Sequence, residues 1–165
     1  MKVSDRQATG EYREEYPARP PAIARNTQNE REFVLLDQGT GVIDFPTAPF
    51  GGARKGQPRD SISKEGKNTF LWVIGCARVP ILIENYASSE VAKHTNLTGG
   101  TVAHSGGELW FKDDCFFYLS GSSGRYPPRS KRELERIVEI FVSCGYNVES
   151  LGWDDETNRA YRSLR

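Results

Sequence analysis

Residues 69–76 contain a stretch that is apolar on both alternating faces, with Phe70, Trp72 and Ile74 on one side and Leu71 and Val73 on the other. Side chains alternate across a strand, so a strand with no polar face is covered on both sides. That places 69–76 at the centre of a sheet and obliges the rest of the chain to supply neighbours and two covering layers. Residues 79–84 follow a break at Arg78 and are expected alongside it. Residues 108–112 and 115–120 flank Asp113-Asp114 and read as a tight hairpin, with Leu109 and Phe111 on one face and Trp110 on the other. A second hairpin is expected from 33–37 and 42–45, separated by Gln-Gly-Thr-Gly.

A helix comes late. Ser130 and Glu133 have capping-box spacing, and Leu134, Ile137, Val138 and Phe141 recur at helical spacing before Gly145, a natural C-cap. A last strand over 146–153 and a short terminal helix from Asp154 to near Leu164 complete the prediction. Strands first and one long helix afterwards predict an α+β fold. The sheet is expected to be mostly antiparallel, with the long helix packed on it. The 18 aromatics against one Met fit a core of rings and β-branched residues.

Two segments stand apart. Residues 1–31 alternate charges with Pro17, Pro20 and Pro21 and show no sustained period. They are expected as an extended arm beside a single domain over 32–165, suited to a protein partner or to self-association. Residues 46–68 form a long Gly- and Pro-rich loop in which Arg54, Lys55, Arg59, Lys64 and Lys67 outnumber Asp60 and Glu65. Such a loop is either an anion-binding flap or a solvated connection.

Composition narrows the function classes. With 22 basic against 22 acidic residues there is no net basic charge to release phosphate counterions, which argues against nucleic acid as a general partner. No window approaches the ~18 apolar residues of a membrane span, so no membrane partner is expected. Cys76, Cys115 and Cys144 are odd in number, far apart and set in apolar segments. They predict buried thiols in a reducing, cytoplasmic setting rather than disulfides. No Walker A spacing, no Gly-x-Ser-x-Gly elbow and no zinc-ligand pattern is present, so no cofactor or metal is expected.

What remains is the polar, glycine-rich block over 94–126. It holds both histidines, His94 and His104, together with Thr95, Asn96, Gly99, Gly100, Gly106, Gly107, Gly121 and Gly124. Glycines let a backbone approach a ligand closely, and successive amides can cradle an anion. His94 is a candidate general base and Glu108 a candidate acid, with a strand-end histidine and a rim carboxylate as the plainer alternatives. Thr95, Asn96, His104, Ser123 and Tyr126 would supply polar contacts. Arg125 suits a phosphate or carboxylate clamp, or else a structural salt bridge.

The block resembles a domain of plant calmodulin-binding IQ-motif proteins and of some bacterial toxin-associated proteins. That pattern runs His-Ser-x-Leu-x-Gly-Gly, then Ala-Gly-Glu, then Ser-Gly-His-Tyr-x-Pro, followed by a helix. The matching positions are His94, Thr95, Leu97, Gly99, Gly100, Gly107, Glu108, Ser123, Gly124, Arg125, Tyr126 and Pro128. Thr95 stands where the pattern has serine and Arg125 where it has histidine. The likeness covers about residues 94–145 and implies a shared site rather than an activity; the chain has no IQ-like segment. Three readings follow. One is binding of a small anionic, nucleotide-like or sugar-phosphate ligand through the block. Another is an enzyme acting on such a ligand with His94 and Glu108. The third is a structural, immunity-like or assembly protein that works through its arm.

Overall fold

The computed structural model describes residues 6–22, 30–58, 68–87 and 90–164. Its centre is the strand the apolar run predicts, β2 (Phe70–Ile74), buried at every position. Around it lie β1 (Ile43–Asp44), β3 (Pro80–Ile83), β4 (Ser105–Asp113), β5 (Phe116–Ser120) and β6 (Asn147–Ser150), in the order β1-β3-β2-β4-β5-β6. Every pairing is antiparallel except β5 with β6. Those two parallel strands are joined through α2 (Lys131–Ser143), the crossover that parallel neighbours require. The fold is therefore α+β with a mostly antiparallel sheet.

The alternation in β2 sorts the core into two layers. Phe70, Trp72 and Ile74 join Leu109, Phe111, Phe117, Leu134, Ile137, Ile140 and Phe141 on the helix-covered face. There the Phe141 ring of α2 meets Trp72 at 5.6 Å and Phe117 at 5.5 Å, in the edge-on geometry aromatic rings favour. Leu71 and Val73 face the other way, against Val42, Leu82, Leu97, Ala103 and Tyr126. Ser130 caps α2 by accepting from the Glu133 amide at 3.1 Å. The Glu133 carboxylate does not close the box on Ser130; it accepts instead from the Arg129 amide at 2.5 Å and from the Arg129 guanidinium at 2.8 Å.

Three local expectations are corrected. Residues 33–37 form no strand: the chain makes 3-10 helices at Glu30–Phe33 and Gln38–Thr40, and β1 pairs with β3 instead. The carbonyls of Arg31 and Val34 are taken by the Asn96 side-chain amide at 2.8 Å each, so a side chain replaces the partner strand. The short terminal helix is a two-stranded hairpin of β7 (Trp153–Asp154) and β8 (Arg159–Ala160), turning at Asn158 with φ 55°. Asn tolerates that left-handed turn better than most residues. Of the cysteines only Cys144 is buried; Cys76 is exposed in a turn, Cys115 is half-buried beside the β4–β5 turn, and all three are free.

The N-terminal segment is not extended over its first described residues. Arg6–Glu15 is a helix, α1; its Ala8 and Tyr12, and Tyr16 just beyond its end, are four apart and pack against the core. Tyr12 is fully buried, with its hydroxyl 2.6 Å from both Ser105 Oγ and Glu133 Oε2. Beyond α1 the chain pairs Arg19 with Ala103, and the Ala22 amide donates to the Arg125 carbonyl. Residues 1–5 and 23–29 of the expected arm lie outside the described residues. Removing the phenol oxygen leaves the fully buried Glu133 carboxylate short of one donor. Tyr12→Phe is therefore expected to lower unfolding free energy by about 2 kcal/mol, measured by urea titration, whereas an unchanged midpoint would make α1 incidental to the core.

The loop at 46–58 is tied down by its amides, Ala48 to the Cys144 carbonyl at the end of α2, Phe50 to the Asp114 carbonyl in the β4–β5 turn and Gly56 to the Phe111 carbonyl of β4. Residues 59–67, with three of its five cations, lie outside the described residues. No helix among the described residues is long and apolar enough to cross a membrane.

Candidate functional site

Strand register decides which block residues meet. Leu71 of β2 sits opposite Glu108 of β4, which points both away from the helices. Over that face lies the 3-10 helix His94–Leu97, buried throughout. The turn after β5 brings Ser122, Ser123, Gly124 and Arg125 to the same place. Ser120 Oγ bonds the Tyr161 carbonyl at 2.8 Å, which carries Arg162 there from the far end of the chain. The result is a polar pocket of about 230 Å³ lined by Leu71, Glu84, Lys93, His94, Glu108, Ser123, Arg125 and Arg162, among others.

His94 is the most constrained member. Its Nε2 lies 2.8 Å from the Gly107 carbonyl and its Nδ1 3.2 Å from Ser123 Oγ. A carbonyl only accepts, so Nε2 carries the proton and Nδ1 is the acceptor for the serine hydroxyl. Burial pushes the ring's pKa down to about 4; the Gly107 carbonyl opposes this, and Lys93 and Arg125 add to it. The ring is thus neutral at pH 7, with its basic nitrogen turned to Ser123.

That depressed pKa has a consequence for stability. Above about pH 6.5 neither the folded nor the unfolded chain protonates this ring, and its contribution is complete. As the pH falls from 6.5 towards 4 the unfolded chain binds the proton and the folded chain does not, so stability is lost, levelling off below pH 4. The loss is on the order of 3 kcal/mol. His94→Gln should remove this component, so the stability gap between parent and variant should narrow between pH 7 and pH 4 in urea titrations. Parallel pH profiles would contradict the buried neutral ring.

Arg125 lines the pocket but has another partner. Its Nε and Nη2 donate to the two oxygens of Glu32 at 2.8 and 3.1 Å, a forked pair with a carboxylate only 3% exposed. The Thr95 hydroxyl donates to the same carboxylate at 3.2 Å. The salt-bridge alternative for Arg125 is therefore realised at a residue that also lines the pocket.

The structure brings His94, Glu108, Ser123 and Arg125 together and places the other candidates elsewhere. Thr95 and Asn96 brace the Glu30–Phe33 turn. Gly99 and Gly100 have positive φ and lie against Leu35 and Phe33, where a side chain on Gly100 would collide with the Phe33 ring at 2.7 Å. The Tyr126 hydroxyl bonds Thr98 and the Thr101 carbonyl. His104 belongs to the helix side, with Nδ1 on the Tyr16 carbonyl at 2.6 Å; burial is the main cause of its lowered pKa. Sequence reasoning missed Glu32, Glu84, Lys93 and Arg162. Lys93 adjoins His94 and was within reach of it, but nothing local marks the other three.

Among the described residues no three His, Cys, Asp or Glu side chains gather as a metal site would need. None of the described residues of the 46–58 loop lines the pocket. No protein-family model, curated protein or solved structure matches the chain.

Proposed function

We propose that the protein binds a small, hydroxyl-rich anionic ligand in the pocket of His94, Glu108, Ser123 and Arg125. The observation that carries this reading is the convergence of separate segments on one polar pocket: the His94 helix, β4, the turn after β5 and the C-terminal stretch. Lys93 and Arg162, both exposed at the pocket, offer positive charge, and Glu84 and Glu108 offer acceptors for hydroxyl groups. The volume of about 230 Å³ falls below the roughly 300–1,000 Å³ of drug-sized sites. It therefore favours a sugar phosphate or a nucleotide fragment over a dinucleotide.

A thermal-shift panel of sugar phosphates, mononucleotides and ADP-ribose tests the reading. A ligand at 100 times its Kd adds about 2.7 kcal/mol, or roughly 5–10 °C for a chain of this size. Lys93→Ala and Arg162→Ala should each weaken binding about tenfold, equivalent to ~1.4 kcal/mol. A flat panel would contradict the reading and favour a protein partner engaged through the N-terminal segment. A second reading, an enzyme with His94 as base and Glu108 as acid, draws support from both lining one pocket with His94 neutral. Recovery of an altered rather than an intact ligand would favour it.

A further inference from the structure

We infer that Ser123 is a nucleophile, with His94 as its general base, for acyl transfer from small esters whose acid part carries negative charge. The inference rests on the pocket proposed above being the ligand site. Three observations carry it.

The first is the hydrogen-bond direction around His94. The Gly107 carbonyl commits Nε2 to donating, so the only proton on the Ser123 hydroxyl points to Nδ1 at 3.2 Å. This is the base-to-nucleophile contact that serine activation needs, made through Nδ1 with a backbone carbonyl as the orienting group.

The second is the position of Ser123 Oγ. It accepts from the amides of Arg125 at 3.3 Å and Tyr126 at 3.0 Å, donors that stabilise the oxygen as it loses its proton. Ser123 is only half-buried and lines the pocket, so a substrate reaches it.

The third is Gly106. A Cβ there would sit 2.9 Å from His94 Cδ2 and 3.3 Å from Ser123 Oγ, so the missing side chain is what lets the two come together.

In the reaction Ser123 Oγ attacks the ester carbonyl and its proton passes to His94 Nδ1. The carbon–oxygen bond to the alcohol breaks, and the leaving oxygen takes the proton from Nδ1. Water then attacks the acyl-serine, gives a proton to Nδ1 and releases the acid, with that proton returning to Ser123 Oγ. Lys93 and Arg162 would hold the anionic acid part. The charged groups acting on His94 are Lys93 and Arg125, and Glu84, Glu108 and Arg162 line the same pocket.

The test is labelling of the full chain with a small alkyl fluorophosphonate, followed by peptide mass mapping. One adduct on Ser123 is expected. No adduct, or an adduct on Ser122 or Ser120, overturns the inference. His94→Gln keeps a donor for the Gly107 carbonyl but has no base, so labelling of the folded variant, its fold checked by circular dichroism, should slow by about 100-fold or more. An unchanged rate removes His94 as the base. In the parent, the rate should hold level from pH 8 to about pH 5 and fall by half near pH 4, as His94 protonates. A rate climbing tenfold per pH unit over that range would mean unassisted hydroxide chemistry and contradict the dyad. A ligand shift without labelling removes the nucleophile and leaves the binding reading standing. Labelling with a flat ligand panel does the reverse.

Discussion

Gly107→Ala is expected to cost about 4 kcal/mol or more, and Gly107→Val to prevent folding. A Cβ at this position would lie 2.2 Å from the Ser120 carbonyl and 2.4 Å from Trp72 Cζ2. The first obstacle is backbone of the neighbouring strand β5, and the second is a fully buried indole whose Nε1 is held by the Glu108 carbonyl at 3.1 Å. Neither can swing aside as a flexible side chain would. Ordinary overpacking costs about 1–3 kcal/mol because neighbours give way; here the central sheet would have to part. Since a domain holds only about 5–15 kcal/mol in total, a loss of this size removes much of the folded population at 37 °C. The comparison is Gly124→Ala, where nothing lies within 4 Å of the new Cβ. That change should alter stability by no more than about 0.5–1 kcal/mol. Urea unfolding of the two variants against the parent decides the matter, and similar losses in both would show that the cost comes from glycine's backbone freedom rather than from the collision. Gly107 has a second role, because its carbonyl fixes the His94 tautomer.

What the sequence disclosed and what it hid follow from the range of the interactions. The central strand was legible because its signal is local: five consecutive apolar residues, rich in aromatic and β-branched types, are too short a run for a helix. Helix α2 was legible for the same reason, with a cap, a stripe and a terminating glycine in order. Helix α1 was not, because its stripe is one residue per turn and its one deeply buried polar contact, Tyr12 to Ser105 and Glu133, spans 93 and 121 positions. The block over 94–126 is a polar concentration in the sequence, yet a contiguous block cannot all share one face. Strand parity puts Glu108 on the pocket side and Ser105 on the helix side, and His104 goes to the helix side with Ser105. Thr95 and Asn96 follow His94 in the same short helix, so they turn away from the pocket while His94 enters it. Glu32 and Arg162 reach the site from distant segments, and no spacing rule links them to it.

Arg125→Ala is expected to destabilise the fold by about 3–5 kcal/mol, an effect that precedes any question of ligand binding. Glu32 is 3% exposed and its two oxygens meet the guanidinium in parallel. Deleting the cation strands a carboxylate out of water, with the Thr95 hydroxyl as its remaining side-chain donor. Breaking a buried pair from one side costs about this much even where the intact pair contributes little net stability. Glu32→Ala/Arg125→Ala should therefore be less damaged than the sum of the single changes, with a coupling of about 2–3 kcal/mol in a double-mutant cycle. Additive losses, or a loss below about 1 kcal/mol in Arg125→Ala alone, would mean that Glu32 reaches water and that the pair behaves as a surface ion pair. The damage would not stay local. Thr95 and Asn96 tie the 3-10 helix carrying His94 to the Glu30–Phe33 turn that carries Glu32. Loss of the pair loosens the wall on which His94 stands. Reduced ligand binding in Arg125→Ala would then report a displaced histidine as readily as a missing clamp, whereas Lys93 and Arg162 are exposed at the same pocket and stand outside the Glu32–Arg125 pair. If the anion reading is right, binding must fall in those two variants while their unfolding midpoints stay with the parent's.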